Sequence, residues 1–219
     1  MPKNKKEGSY SVAFEQSREK FQQLSPEVIS KMTLLEYDRA NNCFTVDSFG
    51  HEIEISYPEG KVSLKDSEEN ILSLARQLIL LNYLSSSKDQ PLKNELVSYR
   101  ELPHGNVFYS NIKTHILEGL GNFFSNCDRS AVRDILRKLG FVFIQSKADL
   151  TARVEFVPRV PVQIQFWEGE EGIPSSCQIL FDRTISDQMH IEDAAALCYL
   201  IKELILKLYS LEESSDCGS

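Results

Sequence analysis

The sequence predicts a single α+β domain built as a mostly antiparallel sheet covered by helices. Strand signals crowd the stretch from Phe141 to Asp182 with no helix between them long enough to act as a crossover, so successive strands should pair antiparallel. An earlier run, Cys43 to Pro58, alternates apolar and polar residues on both sides of Gly50, as a hairpin does. Two long apolar patterns of helical period, one beginning at Asp66 and one at Ile191, supply the covering layer. With 219 residues, 42% of them hydrophobic, the chain is long enough for one ordinary core and short for two. The domain is expected over residues 10–211, between a disordered polar leader at 1–9 and a disordered polar tail at 212–219.

Along the chain, Val12, Phe14, Phe21 and Leu24 recur among charged residues as a modest helix. Ser25 and Pro26 restart it, because serine caps free amides and proline at the first helical position gives up no bond. The hairpin strands CFTVDSF and HEIEISY follow, then a brief strand at Lys61 to Leu64. Asp66 with Glu69 three residues on is read as a capping box opening a core helix through Ile71, Leu74, Leu78, Leu81 and Leu84. A strand is expected from Glu95 to Leu102, closed by the turn Pro103, His104 and Gly105. Helical patterns then run from Ile112 to Phe124 and from Arg129 to Leu139. The last helix, Ile191 to Leu211, starts with Glu192 and Asp193, acids that suit its positive end, and should lie across the sheet.

Charge and cysteine usage narrow the function classes. The formal net charge of -8, from 32 acidic and 24 basic residues, repels nucleic acid and anionic membrane. Lys3, Lys5 and Lys6 cluster only in the leader. The five cysteines, Cys43, Cys127, Cys177, Cys198 and Cys217, are scattered and form no CxxC pair, which argues against a disulfide framework, a zinc knuckle or a resident iron–sulfur cluster. No apolar signal core and no uninterrupted membrane-length segment are present, and a reducing cytoplasm is the expected location.

The densest chemistry lies between Pro158 and Asp182. If Val162, Ile164 and Phe166 pack inward, Gln163, Gln165 and Trp167, the only tryptophan, share the other face and combine hydrogen bonding with stacking. Gln178, Leu180 and Asp182 on the partner strand are candidates for the same face. Trp167 runs into Glu168, Gly169, Glu170 and Glu171, acids that repel one another and that a cation would relieve, although the spacing completes no calcium or magnesium motif and a solvated hairpin loop is the plainer account. Trp167 has an equally plain account as core.

Among His51, His104, His115 and His190 no HxxxH or HExxH pair occurs, which disfavours a zinc enzyme. His190, at the start of the last helix, is read either as a surface residue beside a cap or as a single axial ligand for a cofactor. The neighbours Arg100 and Glu101, and Asp182 and Arg183, are read as structural pairs ahead of an anion site. No GxSxG elbow and no histidine-paired cysteine motif supports nucleophilic catalysis.

The series SYRELPHGN at Ser98 to Asn106, PRVPVQIQFWEGEEGIP at Pro158 to Pro174, ILFDRTI at Ile179 to Ile185 and the later HIED resembles the family called domain of unknown function 3786, over about Cys43 to Tyr209. The family's loop usually has aspartate after the glycine and a larger apolar residue before the proline, where this chain has Glu170 and the pair Gly172 and Ile173. The family comes from bacteria and archaea, many of them anaerobes, and some relatives are fused to an iron–sulfur domain similar to that of corrinoid proteins. The resemblance therefore implies a redox or corrinoid setting and carries over no catalytic residue.

Together these readings lead to the expectation of a non-enzymatic cytoplasmic binding or accessory module. Its expected cofactor-binding residues are Gln163, Gln165, Trp167, Glu168, Glu170, Asp182 and His190. Its expected partner is a corrinoid-type cofactor, another small molecule or a corrinoid-related protein of anaerobic one-carbon metabolism. The alternatives are a carboxylate-dependent, metal-assisted enzyme using Glu168, Glu170 or Asp182, and a protein–protein adaptor.

Overall fold

The computed structural model describes residues 3–65 and 72–216. Helix α1 spans Lys3–Gln23, so it covers most of the expected leader. Ser25 caps α2 (Pro26–Thr33) by accepting the Val28 amide, with Pro26 in the first turn, as the pair predicts. Leu34 then turns left-handed at φ 65 and releases the chain into the first sheet.

That sheet is the antiparallel meander β1 (Tyr37–Asp38), β2 (Cys43–Ser48), β3 (His51–Ser56) and β4 (Val62–Leu64), in chain order. Phe44 lies opposite Ile55 and Val46 opposite Ile53, and all four are buried, so the alternation is a core face. The connecting turn places Phe49 and Gly50 both at positive φ, the backbone a two-residue hairpin favours.

The expected capping residues Asp66 and Glu69, with Ile71, fall outside the described residues. In the described chain α3 runs Leu74–Ser86 and is capped by Ser73, whose hydroxyl accepts the Arg76 amide at 3.3 Å. Ile79, Leu80, Leu81, Tyr83 and Leu84 are all buried, as the near-encircling apolar pattern requires. The next strand is shorter than expected. Only β5 (Leu96–Ser98) is extended, and Tyr99–Glu101 forms a 3-10 turn because Glu101 reaches back to both the amide and the hydroxyl of Ser98.

Helix α4 (Asn106–Asn111), a π-helical stretch (Ile112–Leu117) and α5 (Glu118–Asn126) form one continuous rod, and α6 (Arg129–Lys138) follows from an Asp128 cap. The second sheet then assembles from β6 (Val142–Phe143), β7 (Leu150–Val157), β8 (Val160–Trp167) and β9 (Ser176–Asp182), in the order β5-β9-β8-β7-β6 with every pairing antiparallel. A short α7 (Ile185–Gln188) leads to α8 (Ile191–Asp216), which covers part of the expected tail.

The architecture is thus α+β, with two antiparallel sheets where one was expected. Phe49, at the tip of the β2–β3 hairpin, joins them in one core by packing 5.1 Å from the Phe156 ring of β7 and 6.1 Å from Phe141. Helix α5 covers the inner face of the second sheet, with Phe124 edge-on to Phe166 at 5.5 Å. Helix α8 was expected across the sheet; its main packing is against α3, α6 and the π-helical stretch. This makes it a central helix, with Leu197, Cys198, Ile201 and Ile205 fully enclosed. Among the described residues no helix is long and apolar enough to cross a membrane.

Candidate functional site

The parity expected of β8 is observed. Val162, Ile164 and Phe166 are at most 3% exposed on the helix-covered face. Gln163, Gln165 and Trp167 therefore point to the opposite face, where the register sets them across from Leu180, Gln178 and Ser176 of β9 and, for the two glutamines, from Arg153 and Thr151 of β7. Gln165, Trp167, Leu180 and Arg153 are half-buried and Gln178 and Ser176 are exposed, so this face meets solvent. Gln163 is buried beneath its neighbours on the face. The Arg153 side chain forms no hydrogen bond or ion pair among the described residues. Neither Arg153 nor Thr151 is apparent as a site residue in the sequence, because the β7–β8 register decides their place.

The loop after Trp167 is ordered by contacts of its own. Glu168 is exposed and paired with Arg129 at the start of α6, and its amide donates to the Asp149 carboxylate at 2.8 Å. Glu170 and Ile173 exchange both backbone hydrogen bonds, at 3.0 and 2.9 Å, around a tip where Gly172 has φ 82. Among the described residues no three His, Cys, Asp or Glu side chains gather to hold a metal ion.

Asp182 and His190 do not join this group. Trp167 lies opposite Ser176 at one end of β9, and Asp182 ends the same strand, which at the rise of an extended chain puts the two roughly 20 Å apart. Asp182 is also occupied. Burial pushes its pKa up, but the amide and hydroxyl of Thr184, at 3.0 and 2.6 Å, and the Lys93 and Asn94 amides outweigh burial and hold it below the usual range. Its carboxylate fastens the start of β5 to the turn after β9. His190 lies past that turn, exposed at the head of α8. Beside it Asp193 is 6% exposed; burial raises its pKa against the opposing Asn82 hydrogen bond, and its second oxygen has no partner.

The two adjacent charge pairs are structural, with different partners from those the sequence suggests. Glu101 serves Ser98, Arg100 lies over the Tyr109 ring, and Arg183 crosses to Glu95 at 2.7 Å. A separate groove of about 720 Å³ between the two sheets is rimmed by Glu36, Asp38, Asp47, Glu52 and Glu155. Lys65 answers one of them, Glu52.

What the second sheet offers chemically is a broad surface with one aromatic plane, three amides and one unpaired guanidinium. No general base converges with a nucleophile on it. Comparison with curated proteins and with solved structures finds no match. The family model does match, over residues 25–203, which takes in both sheets and the whole of the open face, and the protein belongs to the family described as Domain of unknown function (DUF3786).

Proposed function

We propose that this protein is a non-enzymatic binding or accessory module whose contact surface is the open face of the five-stranded sheet. The observation that carries the reading is the half-buried Trp167 on one face with Gln163, Gln165 and the unpaired Arg153. Tryptophan and arginine are the residue types that most often dominate binding energy, and amides beside them give a ligand direction. A flat, amide-rimmed ring system can stack on Trp167 and hydrogen-bond to the glutamines, so a corrinoid-type cofactor or a protein carrying one is the proposed partner. His190 lies beyond the far end of β9 and is not part of this contact.

The test is an anaerobic titration with cobalamins, followed by visible absorption and by the fluorescence of Trp167. Quenching that saturates, and that Gln165→Ala and Arg153→Ala weaken, supports the reading. No spectral change together with no quenching sinks the corrinoid version. Protein docking on the same face is the second reading, favoured by the half-buried Trp167, Leu180 and Arg153 that the face presents together. It predicts that a corrinoid-carrying protein binds and that Arg153→Glu abolishes the complex while free cobalamin has no effect.

A further inference from the structure

We propose a second binding site, for a small molecule bearing a phosphate or carboxylate group, in the groove between α6 and the loop that joins β6 to β7. The groove has a volume of about 300 Å³ and is lined by Arg133, Phe143, Gln145, Ser146, Asp149 and Thr151, among others. That is the lower end of the range for ligand pockets. A second cavity of about 30 Å³ shares Arg133, Asp149 and Leu150 with it and is also lined by Phe124 and Phe166 of the core.

Arg129, Arg133 and Arg137 recur every fourth residue, so they share one face of α6. The outer two are committed, Arg129 to Glu168 and Arg137 to Asp134. Arg133 lies half-buried between them, and its side chain has no hydrogen bond and no ion pair among the described residues. Its guanidinium lies 4.8 Å from the centre of the Phe143 ring. A guanidinium held against a ring in this way still has N–H groups to offer, and its fork matches a phosphate or carboxylate in two parallel bonds.

The remaining lining fits the same chemistry. The hydroxyls of Ser146 and Thr151 are 2.6 Å apart, and one proton serves that bond. The other hydroxyl proton is therefore available to an anion in the groove. Asp149 would oppose an anion, but one carboxylate oxygen accepts the Glu168 amide and its charge acts on Arg129. Asp149 thus stands as a selectivity element on the Arg129 side, and Arg133 as the receptor group.

The site has Thr151 in common with the Trp167 face but a different receptor arginine, and it is tested separately. The full chain is titrated calorimetrically with inorganic phosphate and with succinate at fixed ionic strength, for the natural protein, Arg133→Gln, Arg133→Lys and Arg137→Gln. The natural protein is expected to bind one or both anions at a single site. Arg133→Gln should weaken binding about tenfold or more, since a hydrogen bond to a charged group is lost. Arg133→Lys keeps the charge and loses the fork, so it should fall between. Arg137 lies 5.3 Å from the centre of the same ring but is paired with Asp134, so Arg137→Gln removes no receptor group and should change affinity by less than about twofold. Binding of phosphate alone or of succinate alone identifies the oxyanion. Absence of binding for both, or equal losses in Arg133→Gln and Arg137→Gln, overturns the proposal; because Arg133→Lys retains a cation, the comparison holds even if the glutamine variant folds poorly.

Discussion

Gly50→Ala should be among the most destabilising single-methyl additions in this chain, and the structure gives its size. Gly50 sits at φ 71 in the β2–β3 turn, and a Cβ there would stand 2.2 Å from the backbone oxygen of Lys138 and 3.3 Å from its carbonyl carbon. The left-handed backbone alone costs a side chain about 1–2 kcal/mol. The overlap adds more, because a carbonyl at the end of α6 cannot swing aside as a side chain can, and an overpacked core site typically costs a further 1–3 kcal/mol. The combined loss of about 2–5 kcal/mol corresponds to a fall in Tm of roughly 5–15 °C for a domain of this size. Gly172→Ala is the matched control, since Gly172 has φ 82 but nothing within 4 Å of its added Cβ. It should lose only the backbone contribution, about 1–2 kcal/mol. Calorimetric melts of the two variants isolate the contact. Equal losses would show that the hairpin tip does not seat against Lys138, and the account of how the two sheets join through Phe49 and Phe141 would fail with it.

Two buried aspartates give opposite pH dependences. Asp182 is held below its ordinary pKa by hydrogen bonds, so the stability it contributes is present above the unfolded-state value, about pH 4, and is lost as pH falls through the folded one; urea midpoints of Asp182→Asn should be lower at neutral pH and fall less on acidification. Asp193 is raised by burial, so its contribution is full below about pH 4 and declines as pH rises through the folded value; Asp193→Asn should flatten that decline, and an unchanged slope would refute the burial of its free oxygen. In a Cys217→Ser background, Cys127 should react first with a thiol reagent under native conditions, because Cys43, Cys177 and Cys198 are 2%, 5% and 0% exposed and burial pushes the Cys198 thiol up to about 12. Comparable rates for all four would contradict the enclosed α8.

The sequence is most legible where one short segment settles the matter by itself. The alternation of Val162, Ile164 and Phe166 against Gln163, Gln165 and Trp167 needs only the two-residue period of a strand, and the register keeps it, although Gln163 is buried on its own face. The Ser25 and Pro26 restart needs only four residues of helix. What depends on register is a different matter. Grouping Asp182 with Trp167 is reasonable from spacing alone, because both sit on the same parity of adjoining strands. In an antiparallel pair, however, each step back along β8 is matched by a step forward along β9, so Trp167 meets Ser176 while Asp182 falls level with Pro161. Same face and same place are separate conditions, and only the first can be read from alternation. The eight residues between Trp167 and Ser176 leave that register open in the sequence.

Register and long-range packing likewise decide which arginines keep their donors free. An arginine written beside an acid, such as Arg100 or Arg183, looks committed or functional in the sequence, yet each takes its contact from elsewhere in the fold. Arg133 and Arg153 carry no local mark. What distinguishes them is that, among the described residues, no carboxylate or carbonyl reaches either guanidinium, and the absence of such a partner is a property of the assembled surface rather than of any segment. A half-buried guanidinium has given up part of its hydration, and without a carboxylate or carbonyl in return its N–H groups are the least satisfied donors on that surface. The two proposals rest on that deficit at two locations. On the open face Arg153 is flanked by amides and lies on the face of Trp167, which suits a broad partner; in the groove Arg133 is stacked on Phe143 beside two hydroxyls, which suits a small anion. Because the deficit is shared and the surroundings differ, Arg153→Ala should leave phosphate or succinate binding unchanged and Arg133→Gln should leave Trp167 quenching unchanged. Crossed effects would mean that one ligand spans the sheet end between them, by way of Thr151.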